Sequence, residues 1–406
     1  AWCGVAAGVR EIVVRMISVE EAKRIMMEGE PFLATEERSL RAVLGSFTAT
    51  DVISPNDHPM FDMSAVDGYA FAHGPNVDEW SVVGEVAAGE ILDRALMTGE
   101  CARIFTGAQV PDGADTVVMQ EFVERAGDRI RHTDARLQQG GNVRRQREQL
   151  CKGQVVLPQG HRLNSAAIGL LASVGVVSVK CHPAPKVTLL ITGNEFTDPA
   201  DPKPGMIFGS NDVVLEGMLT SAGAITEVLN VRDDAQALEN AIRKALSTAD
   251  LLVTTGGASV GDHDLIRPVL GSMGTVIHFH GVAQKPGKPM LFATLNGKPF
   301  FGLPGNPRAV MVLFWEYVLP FLGAIQGAKD PWLVTDHLPI THPLEVKGDR
   351  AEFRAAQISS GSVTLPRDEG SHMLRSLVDA DALAYLPATQ RTWSLGDLVE
   401  IHYLPR

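Results

Sequence analysis

Residues 251–264 read Leu-Leu-Val-Thr-Thr-Gly-Gly-Ala-Ser-Val-Gly-Asp-His-Asp. The first five suit a buried strand. Gly256, Gly257, Ser259 and Gly261 then break the run, and Leu265, Ile266, Val269 and Leu270 return at helical spacing. A strand, a glycine-rich turn and a helix start can hold an anion, because glycine lets the backbone come close and the first helical N–H groups point outward. Asp262 and Asp264 at the mouth of the turn are hard oxygen ligands for a divalent cation, so the set suits a nucleotide or phosphorylated substrate. The same stretch also reads as a plain strand-to-helix turn that needs glycine.

Further groups of the same chemistry follow predicted strands. Glu195 ends Thr192-Gly-Asn-Glu, and Asp233 lies in Arg232-Asp-Asp. Lys285 and Lys288 are spaced by Pro and Gly, which restrain the backbone while each lysine offers a point charge to an oxyanion. Leu303-Pro304-Gly305-Asn306-Pro307 opens a helix with free N–H donors, Asn306 as its cap and Pro307 in its first turn. Arg144, Arg145 and Arg147 form either a solvated run or an anion patch. His278 and His280 alternate along a strand and so face one side, which is too little for zinc. No Ser-His-Asp signature and no Walker lysine occur.

The elements that must position these groups are legible from periodicity. A helix is expected over 17–28, capped by Ser18. Short β runs at 80–87, 101–105, 115–122 and 129–132, separated by Gly, Pro and Asp, suggest a small inserted β domain. A helix of small and apolar residues follows at 165–174. From Lys186, strands at 187–192, 225–231, 251–255 and 275–282 alternate with helices at 211–223, 233–247 and 264–270. That alternation means a parallel sheet covered on both sides. Ligands in such sheets bind beyond the C-terminal strand ends, where Glu195, Asp233 and the glycine turn fall. Asn296-Gly297 marks a hairpin, a long helix runs to 325, and short strands return in the tail.

Composition narrows the class. The chain has 406 residues, enough for several domains, with 45% apolar and 21% charged residues. A net charge of −12 argues against a nucleic-acid or basic membrane-surface protein. Residues 310–325 are apolar but carry Glu316 and Pro320, and read as a buried helix rather than a membrane span. Residues 1–15 lack a continuous signal core, and the recognisable pattern begins near Met16. Cys3, Cys101, Cys151 and Cys181 are scattered and read as free thiols of a reducing cytosol.

Taken in order, several motifs resemble those of the molybdopterin molybdenumtransferase family, which includes the E domain of gephyrin. They are Ser64-Ala-Val-Asp-Gly-Tyr-Ala70, Ile104-Phe-Thr-Gly-Ala108 with Pro111-Asp-Gly-Ala-Asp115 and Glu121, and Asn142-Val-Arg-Arg145. Thr192-Gly193 with Glu195, Gly256-Gly-Ala-Ser-Val-Gly-Asp262, Lys285-Pro-Gly-Lys288, Leu303-Pro-Gly-Asn-Pro307 and Gly370-Ser-His372 complete the set. The resemblance covers nearly everything after Met16. It implies a multidomain α/β plus β protein: a mixed N-terminal linker domain over 16–55 and 141–183, an inserted small β domain over 56–140, a central doubly wound α/β molybdopterin-binding domain over 184–327, and a C-terminal β-barrel-like domain over 328–406.

The resemblance also implies a cytoplasmic homodimer that inserts molybdate into adenylylated molybdopterin. The pyrophosphate bond is cut and AMP is released with Mg2+, and molybdopterin adenylyltransferase is the pathway partner; nucleic acid and membrane are not. Carried over by motif, Asp67, Thr106, Glu195, Asp233, Asp264 and Lys285 become catalytic candidates. Gly256, Gly257, Ser259, Gly261, Lys288, Pro304, Gly305, Asn306, Pro307, Arg144 and Ser371 become substrate contacts, and Glu195, Asp233, Asp262 and Asp264 metal ligands. Asp67 and Thr106 of one subunit would face the α/β layer of the other. Gln149, Gly281, Asn194 and the pair Arg354-Ala355 depart from the family pattern. The competing readings are a non-catalytic pterin or nucleotide carrier or scaffold, and a nicotinamide dehydrogenase. Thr-Gly-Asn-Glu in place of Gly-x-Gly-x-x-Gly argues against the dehydrogenase.

Overall fold

Val187, Leu189 and Ile191 point to one side of their strand and Leu190 to the other, as the pleat requires; in the computed structural model each side meets its own helices. The structure describes residues 16–29, 33–75, 77–256, 265–366, 370 and 373–405. The strands Ile225–Val231, Lys186–Thr192, Leu251–Thr255, Lys298–Leu303, Leu291–Leu295 and Val276–His280 lie side by side in that order. The first four are parallel. The sheet is therefore mixed and not wholly parallel as expected, because the Asn296-Gly297 hairpin turns Leu291–Leu295 antiparallel to both of its neighbours.

On one face, Leu215 and Leu219 of the helix Asn211–Ser221 pack with Val310, Phe314 and Tyr317 of the long C-terminal helix and with Val19, Ala22 and Met26 of the helix Val19–Met27. Ser18 caps the latter, accepting from Glu21 N at 3.1 Å. On the other face, Leu238, Ile242 and Ala245 of the helix Ala235–Thr248 meet Ile266, Val269 and Leu270 of the helix Ile266–Ser272. Truncating a sheet-centre residue such as Leu189 to Ala would cost about 3 kcal/mol.

The helix Pro307–Ile325 is long and apolar enough to cross a membrane, yet 78% of its most apolar stretch is buried inside the protein. It is α-helical over Pro307–Leu313 and Leu319–Ile325, with a π turn at Phe314–Val318 between them. Glu316 lies in that turn and is 1% exposed; it accepts from Lys23 Nζ at 2.6 Å and bonds His402 Nδ1 at 2.8 Å.

The tail builds a second sheet, in the order Gln284–Lys285, Ala351–Ser359, Ala382–Leu386, Leu398–Tyr403 and Thr335–Pro339. Its core holds Val363, Leu386, Trp393, Val399 and Ile401.

These parts form one compact unit, residues 1–36 with 182–406, and residues 37–181 form another. The second unit carries a six-stranded sheet in the order Thr116–Met119, Gly68–Phe71, Glu100–Ile104, Trp80–Val86, Arg129–His132 and Val123–Ala126. Its small two-stranded ladders pair Glu36–Ser39 with Ser178–Cys181, Met63–Ser64 with Val143–Arg144, and Val52–Ile53 with Val155–Leu157. Its helix Ser165–Ser173 is capped by Asn164, which accepts from Ala167 N at 2.9 Å. Cys101 and Cys181 are buried and Cys151 is exposed; burial pushes the Cys101 thiol up to about 12.

Candidate functional site

Three neighbouring strands of the α/β sheet end in Thr192, Thr255 and Leu303, and the residues just beyond them are drawn together. Gly256 has φ +85°, and a Cβ there would lie 2.6 Å from Thr192 O, so the turn needs glycine both for its conformation and for its closeness to the next strand end. The Thr255 hydroxyl donates to Pro304 O at 3.2 Å. Asn211, at the start of its helix, donates to Thr255 Oγ1 at 2.8 Å and to Gly305 O at 2.9 Å. One amide thus ties the glycine turn to the Pro-Gly-Asn-Pro turn.

The acids join the same edge. Thr192 pairs with Val231, so the two chains leave the sheet together, and Asn194 N donates to Asp233 Oδ2 at 3.1 Å. Glu195 follows directly, with its carboxylate over Gly193. Glu195 and Asp233 are therefore neighbours, and both are exposed. Two details differ from expectation. Asp233 does not open its helix: Asp234 is the cap, accepting from Ala237 N at 2.8 Å, and Asp233 is left facing Asn194. Asn306 stands at the cap position but makes no side-chain cap bond, and its Oδ1 is buried without a partner among the described residues.

Lys285 is held from a different side. Its strand, Gln284–Lys285, pairs with Ala351 and Glu352 of the tail sheet. Gln284 is fully buried; it donates to Pro286 O at 2.8 Å and accepts from the Tyr317 hydroxyl. Gly287 packs against Leu313, so the loop between the lysines is fixed to the long helix while Lys285 and Lys288 stay exposed. Lys285 Nζ lies 3.5 Å from Glu352 Oε1, and Arg354 grips Glu352 Oε2 through Nε at 2.9 Å and Nη2 at 2.7 Å. Arg308, buried just after Pro307, donates to Ser376 Oγ at 2.8 Å and draws the tail segment onto the helix start.

In the other unit, Asp67 precedes the strand Gly68–Phe71 and Thr106 follows the strand Glu100–Ile104. Gly68 pairs with Ile104, so the two residues meet at one sheet end. Asp67 Oδ1 accepts from Thr106 N at 2.8 Å and from Thr106 Oγ1 at 2.7 Å. These bonds, backbone first, together with the Arg103 charge, hold the Asp67 carboxyl below the usual aspartate value. A Cβ at Gly68 would lie 1.7 Å from Val118 O, so Asp67 must be followed by glycine for the strands to close. Arg103 stacks over Tyr69 and Phe105 and donates to Gly68 O at 2.7 Å. Of the arginine run, Arg145 pairs with Asp62 at 2.7 Å and Arg147 with Asp57 at 2.9 Å, while Arg144 is exposed with no ion pair among the described residues.

Gly257, Ser259, Gly261, Asp262, Asp264 and Ser371 lie outside the described residues. His278 and His280 do not keep the expected alternation, because the ladder slips at His278; its ring reaches Thr294 Oγ1 at 2.7 Å while His280 is buried. Sequence reasoning missed Asn211, Arg103 and Glu352. Asn211 carried a signal, an amide at a helix start two residues after Gly209, but its partners lie 44 and 94 residues away.

Three family models match the chain: the MoeA N-terminal region (domain I and II) over residues 17–175, a probable molybdopterin binding domain over 188–324 and the MoeA C-terminal region (domain IV) over 338–404. The molybdopterin molybdenumtransferase of Nostoc sp. is 34% identical, over 96% of this chain and 94% of its own length. That of Haemophilus influenzae is also 34% identical, over 95% and 98%. Among solved structures, the molybdopterin biosynthesis MoeA protein of Pyrococcus horikoshii OT3 superposes with a TM-score of 0.81 at 27% identity, over 96% of this chain and all of that one.

Proposed function

The chain belongs to the molybdopterin molybdenumtransferase (MoeA) family of molybdenum cofactor biosynthesis, and on that premise we propose that it inserts molybdate into the dithiolene of adenylylated molybdopterin, cutting the pyrophosphate bond and releasing AMP. The observation that carries this reading is the convergence of the strand ends at Thr192, Gly256 and Gly305, locked by Asn211, with Glu195 and Asp233 side by side at the same edge. Backbone N–H groups at the glycine turn and at the helix start after Pro307 are suited to the diphosphate. Gly256, Gly257, Ser259, Gly261, Pro304, Gly305, Asn306 and Pro307 line that contact, with Arg144 and Ser371 as further anion contacts.

Lys285 and Lys288 place positive charge where negative charge develops on the leaving phosphate or sits on molybdate. The loose 3.5 Å contact with Glu352, whose other oxygen Arg354 already holds, leaves Lys285 able to turn to an anion. Asp67 and Thr106 act as a rigid carboxylate–hydroxyl pair. The protein works as a cytoplasmic homodimer in which this pair of one subunit faces the α/β layer of the other, and it receives its substrate from molybdopterin adenylyltransferase. The four domain limits set out from the sequence belong to the same proposal.

Magnesium fits the donor set, which is carboxylate oxygen. Among the described residues no three acids gather closely enough to hold an ion, so Glu195 and Asp233 would share it with Asp262 and Asp264. Bound magnesium neutralises charge on the diphosphate. The test is incubation of the purified protein with adenylylated molybdopterin, molybdate and magnesium, scored for AMP and for active cofactor. Asp264→Asn should fold and lose most AMP release; near wild-type turnover by this variant would count against the assignment.

A further inference from the structure

Asn211 opens the helix Asn211–Ser221 and is 6% exposed. Its amide nitrogen has two acceptors, Thr255 Oγ1 at 2.8 Å and Gly305 O at 2.9 Å. A carbonyl can only accept, so Gly305 fixes which way the amide faces. Asn211 Oδ1 is therefore turned away from both, buried and without a donor among the described residues. Asn306 repeats the pattern at the adjoining turn: its Oδ1 is also buried without a donor among the described residues. Asp212 Oδ1, beside Asn211, is a third such atom. The two amides are close neighbours, because Gly305, which Asn211 grips, directly precedes Asn306.

A buried acceptor that has lost water and gained no donor is destabilising, and such atoms need a reason. Here they stand at the C-terminal edge of an α/β sheet, where these folds bind ligands. Their chemistry excludes one part of a ligand: carbonyl oxygens repel phosphate and receive N–H or O–H. The neighbouring groups have the opposite character. Among the described residues no side chain caps the helix Asn211–Ser221, and the first N–H groups of a helix have no partner within it and favour an anion. A site with donors on one side and rigid acceptors on the other suits a phosphate ester together with the hydrogen-bearing ring or sugar attached to it.

We infer that Asn211 Oδ1, and Asn306 Oδ1 at the adjoining turn, accept hydrogen bonds from N–H or O–H groups of the substrate next to its phosphate, and so select the organic part of the ligand while the start of the helix Asn211–Ser221 holds the anion. This rests on the function proposed above. Two parts of that substrate carry such donors, the pterin and the adenosine.

The experiment is calorimetric titration of the full chain with AMP and, separately, with molybdopterin. Wild type is compared with Asn306→Ala and Asn211→Leu, and the melting temperature of each variant is recorded. Asn306→Ala removes an oxygen that has no partner among the described residues, so this variant should melt with the wild type. It should bind the probe that carries the donor about tenfold more weakly, the size of one lost hydrogen bond. Loss confined to AMP assigns the contact to the nucleotide, and loss confined to molybdopterin assigns it to the pterin. If wild type binds a probe and Asn306→Ala and a folded Asn211→Leu bind it equally well, the inference falls and the family function stands. If wild type binds neither probe, the proposed function falls and the inference goes with it.

Discussion

Replacing Glu316 by glutamine keeps the shape of a fully buried side chain and removes its charge. In the native protein one carboxylate oxygen takes the Lys23 ammonium at 2.6 Å and the other faces His402 Nδ1 at 2.8 Å. Glutamine offers one oxygen and one NH2 group, so Lys23 loses its counter-charge and one of the two contacts can become donor against donor. Breaking a buried pair from one side costs about 3–5 kcal/mol. Lys23 retains 20% side-chain exposure and lies 5.2 Å from the Trp332 ring, which places the loss at the low end, about 3 kcal/mol. For a unit of this size that lowers Tm by roughly 6–12 °C, read by circular dichroism at pH 7.5.

Acidification gives a second reading of the same variant. Burial pushes the Glu316 carboxyl up, but the His402 and Lys23 contacts outweigh it and hold the group below its ordinary value of 4.5. A carboxyl lowered on folding stabilises the protein above its unfolded pKa, and that stability is lost as pH falls through the folded value. The gap between wild type and Glu316→Gln should therefore be full above pH 4.5 and shrink below it. A glutamine variant that melts within about 2 °C of wild type at pH 7.5 would refute the reasoning, as would a gap that holds unchanged to the most acid measurable point.

Gly68→Ala should abolish folding of the unit over 37–181, a loss above roughly 4 kcal/mol, because its Cβ would meet Val118 O at 1.7 Å and a backbone oxygen in mid-sheet cannot move aside; soluble yield and amide exchange report it. Asp67→Asn keeps an oxygen that can accept both Thr106 bonds, so the variant should melt near wild type while AMP release falls roughly a hundredfold or more. Removing magnesium with a chelator should suppress AMP release and leave the far-ultraviolet spectrum unchanged, since Glu195 and Asp233 at the strand ends are exposed.

The α/β sheet was legible because its evidence is local. Val187, Leu189 and Ile191 against Leu190 report a strand buried on both faces without any knowledge of neighbours. The hairpin at Asn296-Gly297 was equally plain, but the rule of alternating strands and helices obscured its effect on sheet direction. The slip at His278 was not legible, since a bulge is a property of a pair of strands and not of one. Asp67 and Thr106 came from motif resemblance, and their hydrogen bonds follow from Gly68 facing Ile104. Glu316 read only as an argument against a membrane span; its partner Lys23 is 293 residues distant, beyond the reach of any window. Asn211 failed to stand out for the same reason, as an amide whose meaning comes from Thr255 and Gly305.

The lysine loop borrows its backbone partner from the tail. Gln284 and Lys285 form a strand only because Ala351 and Glu352 lie alongside, and Arg350 donates to Gln284 O at 3.2 Å. The residues after 328 thus complete a strand whose own residues belong to the central segment of the chain. A hybrid that grafts another relative's tail onto this chain would have to carry residues 282–288 with it; otherwise the sheet would be complete and the cation displaced from its station.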